Sequence, residues 1–321
     1  MIEKIIDLSE APAFISARGE LLVIKHLDES PEEGEARKPA RGARAHAPDT
    51  PPAAEATVPL SEIAAVVLGH QRITITKSAL SSLAQAGAIV ISCDEKFTPA
   101  AMSLPVEGHF SQTERFARQA QAPLPMKKRL WQQIIQEKIR AQGRVLLELR
   151  GDDAGFPALA ERVRSGDPEN VEALAARRYW TLLFADPEFI RDRDAPSPNA
   201  LLNYGYAVLR AIIARAICAA GLHPSLGLHH HNRYDSFCLA SDLMEPFRPV
   251  VDRAVTLHCI EFGPAPALDK IAKTDILSAL TATFDLNGEQ RKLFDIAARA
   301  ASSLDAVFAG KRKALLLPEL P

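Results

Sequence analysis

Residues 199–252 read NALLNYGYAVLRAIIARAICAAGLHPSLGLHHHNRYDSFCLASDLMEPFRPVVD and combine a long apolar segment with a dense group of polar side chains. The 3.6-residue spacing of the apolar positions predicts a helix over residues 200–220. Three consecutive histidines follow at positions 229–231, and then two acids, Asp242 and Glu245. Imidazole and carboxylate together are typical ligands of Mg²⁺, Mn²⁺ or a related catalytic metal. The segment therefore predicts helical structure next to a candidate metal site.

The bulk composition narrows the class of protein without naming a function. The chain has 321 residues, which is long enough for one large or two ordinary domains. Its hydrophobic content is 47% and its net charge is −2. The four cysteines are scattered without a C-x-x-C pair, which argues against a zinc ribbon or a thioredoxin-like site and favours a reduced, cytoplasmic protein. We expect no membrane association, because Arg210 and Arg215 interrupt the longest apolar run.

The pattern of elements predicts an α+β fold, with a small β-rich N-terminal domain (residues 1–100) followed by a larger all-helical catalytic domain (residues 108–321). The N-terminal runs LLVIKHL, IAAVVL, RITIT and AIVISCD have strand character, and a helix is expected over 78–87, capped by Ser78 and stopped by Gly87. Helical periodicity then marks residues 110–121, 127–142, 172–184, 200–220, 269–284 and 288–309. Residues 28–57, rich in Pro, Ala and charge, predict a flexible insertion in a hairpin.

The two acids after the histidines suit a helix start. Ser241 is a plausible N-cap, and residues i and i+3 share a helix face, so Asp242 and Glu245 could point at one site. Pro249 is expected to bend or end that helix. The alternative is that both acids simply favour the positive end of the helix dipole. The histidines, likewise, either bind metal or belong to an ordinary polar loop.

A third acid, Glu172, lies upstream in NVEALAARRYW, on a helix face of mostly small apolar residues. It is either solvated or a ligand. Basic residues are concentrated in residues 110–150, where nine positive and three negative side chains give +6. This excess, which includes Lys127, Lys128 and Arg129, could neutralise phosphates or form a solvated helix face. Arg177, Arg178 and Arg248 lie closer along the chain to the candidate ligands and are better candidates for a scissile phosphate.

These motifs, in this order, resemble the core of the CRISPR-associated integrase family Cas1, most closely its type II branch. The resemblance rests on the acid helix, the LNYGY helix, the G-L-x-P-x-L-G turn, the histidine and the DLMEP segment, and it covers essentially the whole chain. Carried onto this sequence, it implies that Glu172, His230 and Glu245 hold Mg²⁺ or Mn²⁺. Asp242 would support a ligand from behind, and His229 and His231 would contact DNA. Ala173 stands where the family usually has glycine.

The resemblance implies a metal-dependent DNA endonuclease and integrase of CRISPR adaptation. Such an enzyme inserts short DNA fragments as new spacers into a repeat array, by attack of a 3′-hydroxyl on a phosphodiester. The implied partners are a second copy of the chain in a homodimer, the small Cas2 protein in a heterohexamer, double-stranded DNA (prespacer and repeat–leader junction) and the Cas9 effector. The chain has no P-loop, dinucleotide or serine-hydrolase motif. Two alternatives stay open: a catalytically inactive DNA-binding scaffold of the same fold, and a metal-dependent hydrolase of small phosphoesters.

Overall fold

The computed structural model describes residues 3–27, 55–94, 99–104, 109–192, 194–286 and 288–320. Strands dominate the first hundred residues and helices the remainder, so the predicted α+β class is confirmed. The strands of the first part are β1 (Lys4–Leu8), β2 (Ala13–Arg18), β3 (Leu21–His26), β4 (Glu55–Pro59), β5 (Ile63–Leu68), β6 (Ile73–Ile75), β7 (Ile89–Cys93) and β8 (Pro99–Ser103), with helix α1 (Lys77–Gln85) before β7.

The second part is built mainly from helices. They are α2 (Gln112–Ala120), α3 (Leu124–Arg150), α4 (Phe156–Glu161), α5 (Val171–Phe184), α6 (Asn199–Ala219), α7 (Cys238–Leu243), α8 (Arg248–Phe262), α9 (Lys270–Thr281) and α10 (Leu293–Phe308). A hairpin, β9 (Thr283–Leu286) and β10 (Glu289–Lys292), connects α9 to α10. The helices predicted over 110–121, 172–184 and 200–220 agree with α2, α5 and α6, whereas α3 runs farther than its predicted end at 142.

The strands of the first part form two four-stranded sheets, in the orders β1-β5-β7-β8 and β4-β3-β2-β6. Strands β1, β5 and β7 are parallel to one another, and five of the six residues of β5 are buried. A parallel strand of this kind needs cover on both faces. Ile63 and Val66 of β5 belong to the core between the sheets, and Ala64 and Val67 belong to the core shared with the helices.

The helical core therefore crosses the predicted boundary between the two parts. The side chains of Ile89 and Ile91 join the same cluster as the residues of α6. Polar contacts cross it too: the Tyr204 hydroxyl donates to Asp7 Oδ2 at 2.5 Å, and Arg215 Nε donates to the Gly87 carbonyl at 2.7 Å. The division into residues 1–100 and 108–321 stays a prediction. These contacts hold α6 against the N-terminal part of the chain.

The hairpin predicted around the insertion is present at its strands. β3 and β4 pair antiparallel, from Leu21 opposite Pro59 to Lys25 opposite Glu55. Residues 28–54 of the predicted flexible insertion lie outside the described residues. Residues 55–57 form the start of β4, so the insertion prediction was wrong for these three.

Three local predictions were wrong. Ser78 lies inside α1, which Thr76 caps instead: its Oγ1 accepts from the Ala79 amide at 3.2 Å. Helix was predicted over 283–284 and 288–292, where β9 and β10 form because Gly288, at φ +84°, allows a tight turn. Pro249 was expected to bend or end a helix, but it lies in the first turn of α8, where its missing amide hydrogen leaves no bond unmade.

Helix α6 is the centre of the helical part. By length and composition α6 could cross a membrane, but 83% of its most apolar 18-residue stretch is buried inside the fold. Helix α6 is therefore apolar because it is a core helix that other elements cover on all sides. A Cβ atom added at Gly205 would lie 2.4 Å from Val251 Cγ1, so the absence of a side chain there permits the close approach of α6 and α8.

We predict that Gly205→Ala destabilises the fold by about 1–3 kcal/mol, because the added methyl overpacks the contact between α6 and α8. The measurement is urea unfolding followed by circular dichroism. Ala219→Ser, which adds one atom at an exposed position of the same helix, should change the free energy of unfolding by less than about 0.5 kcal/mol. Equal stability of Gly205→Ala and wild type would contradict the packing.

Candidate metal centre

Glu172 lies in the first turn of α5, where a capping carboxylate fixes the backbone. The Asp167 carboxylate accepts from the amides of Val171 and Glu172, at 2.9 and 3.0 Å. An acceptor at this position satisfies helix amides that have no partner within the helix. The Glu172 side chain is 26% exposed and points toward α3. The start of α5 is thus fixed at the residue that the sequence proposed as a ligand.

The histidine loop is organised by Asp242, whose side chain is fully buried at the end of α7. Its carboxylate accepts from three successive amides, those of Leu228 (2.6 Å), His229 (3.0 Å) and His230 (3.2 Å), and contacts His230 Nδ1 at 2.5 Å. A Cβ atom at Gly227 would lie 2.4 Å from the His230 carbonyl oxygen, so this turn requires glycine. The structure thereby brings together the two residues that were expected to act as ligand and support.

Glu245 does not occupy the helix position that was expected. Ser241 lies within α7 and caps no helix; its hydroxyl donates to Asp235 Oδ2 at 3.2 Å. Glu245 begins a separate 3-10 turn, Glu245–Phe247, because α7 ends at Leu243. The expectation that Asp242 and Glu245 face one point was therefore wrong: Asp242 contacts the histidine loop and Glu245 contacts α3 and α8.

Lys138 of α3 joins the two candidate glutamates. Its Nζ lies 2.6 Å from Glu172 Oε1 and 2.6 Å from Glu245 Oε2. Arg248 Nε lies 2.9 Å from the other oxygen of Glu245. Sequence reasoning counted Lys138 only as one charge of the basic segment. Its signal was its position, because it shares the buried face of α3 with Trp131, Ile134 and Gln142, where an unpaired charge is costly.

No three His, Cys, Asp or Glu side chains form a metal-ligand cluster within the part of the chain that the structure describes. The two glutamates are instead bridged by the Lys138 ammonium, with the His230 ring hydrogen-bonded nearby to Asp242. The donor types nevertheless suit a hard divalent cation. Glu245 Oε2 is buried, and the Lys138 ammonium, 2.6 Å away, balances its charge. That oxygen therefore already contacts a cation, the Lys138 ammonium.

The pKa values of the neighbouring residues His229 and His230 are shifted in opposite directions. The hydrogen bond with Asp242 raises the pKa of His230 above its ordinary value, with Glu245 and Glu172 adding to the effect. Burial lowers the pKa of His229, whose ring stacks on Trp131 with centroids 4.2 Å apart. Because Nδ1 of His230 faces Asp242, Nε2 is the nitrogen available to a ligand.

Arg248 lies next to a buried hydrogen-bond network. The hydroxyls of Tyr179 (3.1 Å) and Tyr206 donate to the two oxygens of Asp252, and the Arg248 guanidinium lies over the Tyr206 ring, 4.6 Å from its centroid. Burial raises the pKa of Asp252 to about 7. Beside this network is a cavity of about 240 Å³ lined by Lys138, Gln142, Ala176, Trp180, Arg191, Tyr206, Glu245, Arg248 and Asp252.

The other predicted contact residues differ in exposure and contacts. Arg177 and His231 are exposed, as are Lys128 and Arg129 at the start of α3, and Lys127 is partly exposed. Arg178 contributes to packing: it donates to the Ala154 carbonyl at 2.8 Å and its guanidinium lies over the Phe156 ring. All four cysteines are unpaired, and three of them, Cys218, Cys238 and Cys259, are buried.

Comparison with known proteins identifies the family. The sequence profile described as "CRISPR associated protein Cas1" matches residues 9–261, most of the chain. The chain is also 38% identical over 270 residues to the CRISPR-associated endonuclease Cas1 of Neisseria meningitidis serogroup C (strain 8013), covering 82% of this chain and 87% of that protein. The chain belongs to the Cas1 family. The resemblance drawn from the sequence motifs is thus confirmed.

Solved structures agree with this assignment at the level of the fold. A casposase bound to its integration product superposes with a TM-score of 0.75 at 20% identity, covering 97% of this Cas1 chain and 92% of the casposase chain. A Cas1 protein from Thermotoga maritima superposes with a TM-score of 0.67 at 14% identity, covering 97% and 99% of the two chains. The β-rich start and the helical remainder are therefore the common architecture of these proteins.

We predict that Asp252→Asn changes the pH dependence of stability of this Cas1 protein. The folded-state pKa of about 7 lies above the usual carboxyl value, so ionising Asp252 costs stability progressively as the pH rises from about 4 to 7. The asparagine variant lacks this loss and should gain up to about 4 kcal/mol relative to wild type across that range. Urea unfolding at a series of pH values measures the difference, and a difference independent of pH would contradict the assignment.

Proposed function

We propose that this Cas1 protein is a metal-dependent DNA endonuclease and integrase of CRISPR adaptation, which inserts short DNA fragments as new spacers into a repeat array. The observation that carries the proposal is the approach of Glu172 and Glu245 to one cation position, next to a histidine ring fixed by Asp242. Glu172 comes from α5, far in the sequence from the histidine loop, α7 and the 3-10 turn that supply the other residues. Membership of a family whose relatives carry the name endonuclease supports the same conclusion.

The proposed ligands are Glu172, His230 and Glu245, and the proposed metal is Mg²⁺ or Mn²⁺. The donor set suits such a cation: it comprises the buried oxygen of Glu245 that contacts Lys138, the partly exposed carboxylate of Glu172 and the Nε2 of His230. When bound, the cation lowers the pKa of an attacking hydroxyl and neutralises charge on the phosphate. Asp242 holds His230 in the tautomer that leaves Nε2 unprotonated.

The reaction we propose exchanges one phosphodiester for another. The oxygen of a 3′-hydroxyl on the incoming fragment forms a bond to a phosphorus of the repeat strand, and the bond from that phosphorus to its original 3′ oxygen breaks. The hydroxyl proton is released and the departing oxygen takes up a proton, so the reaction needs no ATP. Water in place of the hydroxyl gives hydrolysis, which accounts for nuclease activity by the same side chains.

The remaining predicted contact residues would hold the DNA. Arg248 stands beside Glu245 at the wall of the cavity and would contact the phosphate next to the break. Arg177, Arg178, Lys127, Lys128, Arg129, His229 and His231 would contact the flanking backbone. Phosphate contacts of this kind carry affinity without reading sequence.

We propose a homodimer as the unit of assembly, with two dimers on either side of a Cas2 dimer and double-stranded DNA bound across both ends. One centre per chain cannot act on both ends of a fragment, which favours a symmetric assembly. A Cas6-RT-Cas1–Cas2 complex has a chain with this fold, at a TM-score of 0.70 and 18% identity, with 98% of this chain and 36% of that chain covered. The Cas9 effector is a further proposed partner, and the cytoplasm is the proposed location.

His230→Ala should abolish integration and cleavage, lowering the rates by on the order of a hundredfold or more, because it removes a metal ligand. DNA affinity should change little, since backbone contacts carry it. The measurements are a Mn²⁺-dependent integration assay on a repeat–leader duplex and a gel-shift titration with the same DNA.

His26→Ala, at an exposed position at the end of β3, is the matched control and should keep both properties. Full integration by His230→Ala would contradict the assignment. Intact DNA with wild-type protein, despite tight DNA binding, would favour the inactive scaffold. Hydrolysis of small model esters without a preference for DNA would favour a phosphoester hydrolase.

Arg248→Ala should lower the integration rate about tenfold or more, because the buried carboxylate of Glu245 loses a counter-charge and the DNA loses a phosphate contact. Arg248→Lys should restore only part of the rate, since lysine lacks the planar guanidinium that lies over Tyr206. The control is Arg164→Ala, at a side chain that is 77% exposed. A wild-type rate for Arg248→Ala would remove this residue from the site.

A further inference from the structure

We propose that Lys138 is a positioning residue that occupies the cation position between Glu172 and Glu245 until a divalent metal displaces it. The inference rests on the proposed metal dependence and goes beyond the three proposed ligands. It assigns to this lysine the role of an internal counter-cation, which keeps the two carboxylates together when no metal is bound.

The contacts support this role directly. The ammonium lies 2.6 Å from one oxygen of each glutamate, and the Lys138 and Glu245 side chains are only 12% and 5% exposed. Two carboxylates brought together in a buried site repel each other strongly when both are ionised. Of these two carboxylates, Arg248 contacts that of Glu245. Lys138 is therefore the cation that bridges both acids within the described chain.

The position of Lys138 on α3 makes an incidental surface ion pair a poor explanation. Ile134 and Ile135 precede it on the helix and are fully buried, and Gln142, one turn later, is 3% exposed. Lysine is rarely buried without a partner, and removing a partner from a buried pair costs far more than removing one at the surface. The side chain reaches from the apolar interior of the helix bundle to the two acids.

A divalent cation would require the same oxygens that Lys138 contacts. The ammonium cannot stay between the acids once a metal binds them both, because the two cations would compete for the same volume and repel each other. The structure offers a place for it: Lys138 and Gln142 line the same cavity of about 240 Å³. Gln142 Oε1 is a buried acceptor with no hydrogen bond within the described residues, so it can receive the displaced ammonium.

This exchange has two consequences for the protein. Without metal, the acids remain close together and the starts of α5 and α8 stay fixed to α3. With metal, part of the binding energy is used to move the lysine, so metal affinity is lower than the two carboxylates alone would provide. Removal of the lysine charge should therefore weaken the metal-free protein and strengthen metal binding, a combination that a purely structural lysine would not produce.

The test uses Lys138→Met, which keeps the length of the side chain and removes its charge. In mildly alkaline buffer, Mn²⁺ titration by calorimetry should show affinity about tenfold tighter than wild type, equivalent to about 1.4 kcal/mol. With a chelator present, its melting temperature should fall by roughly 5 °C, and saturating Mn²⁺ should remove most of that difference. Lys77→Met, an exposed lysine of α1, is the matched control and should equal wild type in both measurements.

Unchanged or weaker Mn²⁺ binding by Lys138→Met, with normal binding by wild type, would overturn the role of Lys138 and leave the proposed function intact. Absence of Mn²⁺ binding in wild type and variant alike would overturn both. If Lys138→Met does not fold, Lys138→Arg provides the test. Its guanidinium holds carboxylates more firmly, so Mn²⁺ affinity should fall below that of wild type, and affinity equal to or above wild type would overturn the proposal.

Discussion

A carboxylate leaves water only when donors or cations replace its hydration, and this constraint holds the helical part of the molecule together. Three buried acids satisfy it in different ways. Asp242 accepts from successive amides and thereby fixes the histidine loop on α7. Glu245 contacts Lys138 and Arg248, which ties the start of α8 to α3. Asp252 accepts from two tyrosines and connects α8 with α5 and α6.

The same elements are positioned from outside by packing. The apolar residues of α6 contact both the parallel sheet and the other helices, so the N-terminal sheets and the centre share one scaffold. Gly205 lets α8 approach α6 closely enough for the Tyr206 hydroxyl to reach Asp252. Packing thus sets the distances between the helices, and charge compensation sets the orientations of the acidic side chains. A site on rigid, mutually packed elements keeps its geometry better than one on a free loop.

Much of this architecture could be predicted from the sequence, because periodicity is a local property. The β-rich start and the positions of α2, α5 and α6 follow from it directly. What failed depended on tertiary context. The caps at Ser78 and Ser241 were misplaced, since the residue that starts a helix is set by neighbouring structure. Lys138 was missed because its partners are on other elements, although a lysine on a mostly apolar helix face was a visible signal.

The ring of His229 lies parallel to that of Trp131, and this stack has an optical consequence. The chain contains only two tryptophans, and the other, Trp180, lines the cavity beside Lys138. Every indole in the protein therefore borders the centre. Its intrinsic fluorescence is a native signal of events at that centre, free of background from the N-terminal sheets, and it can be recorded without attaching a dye.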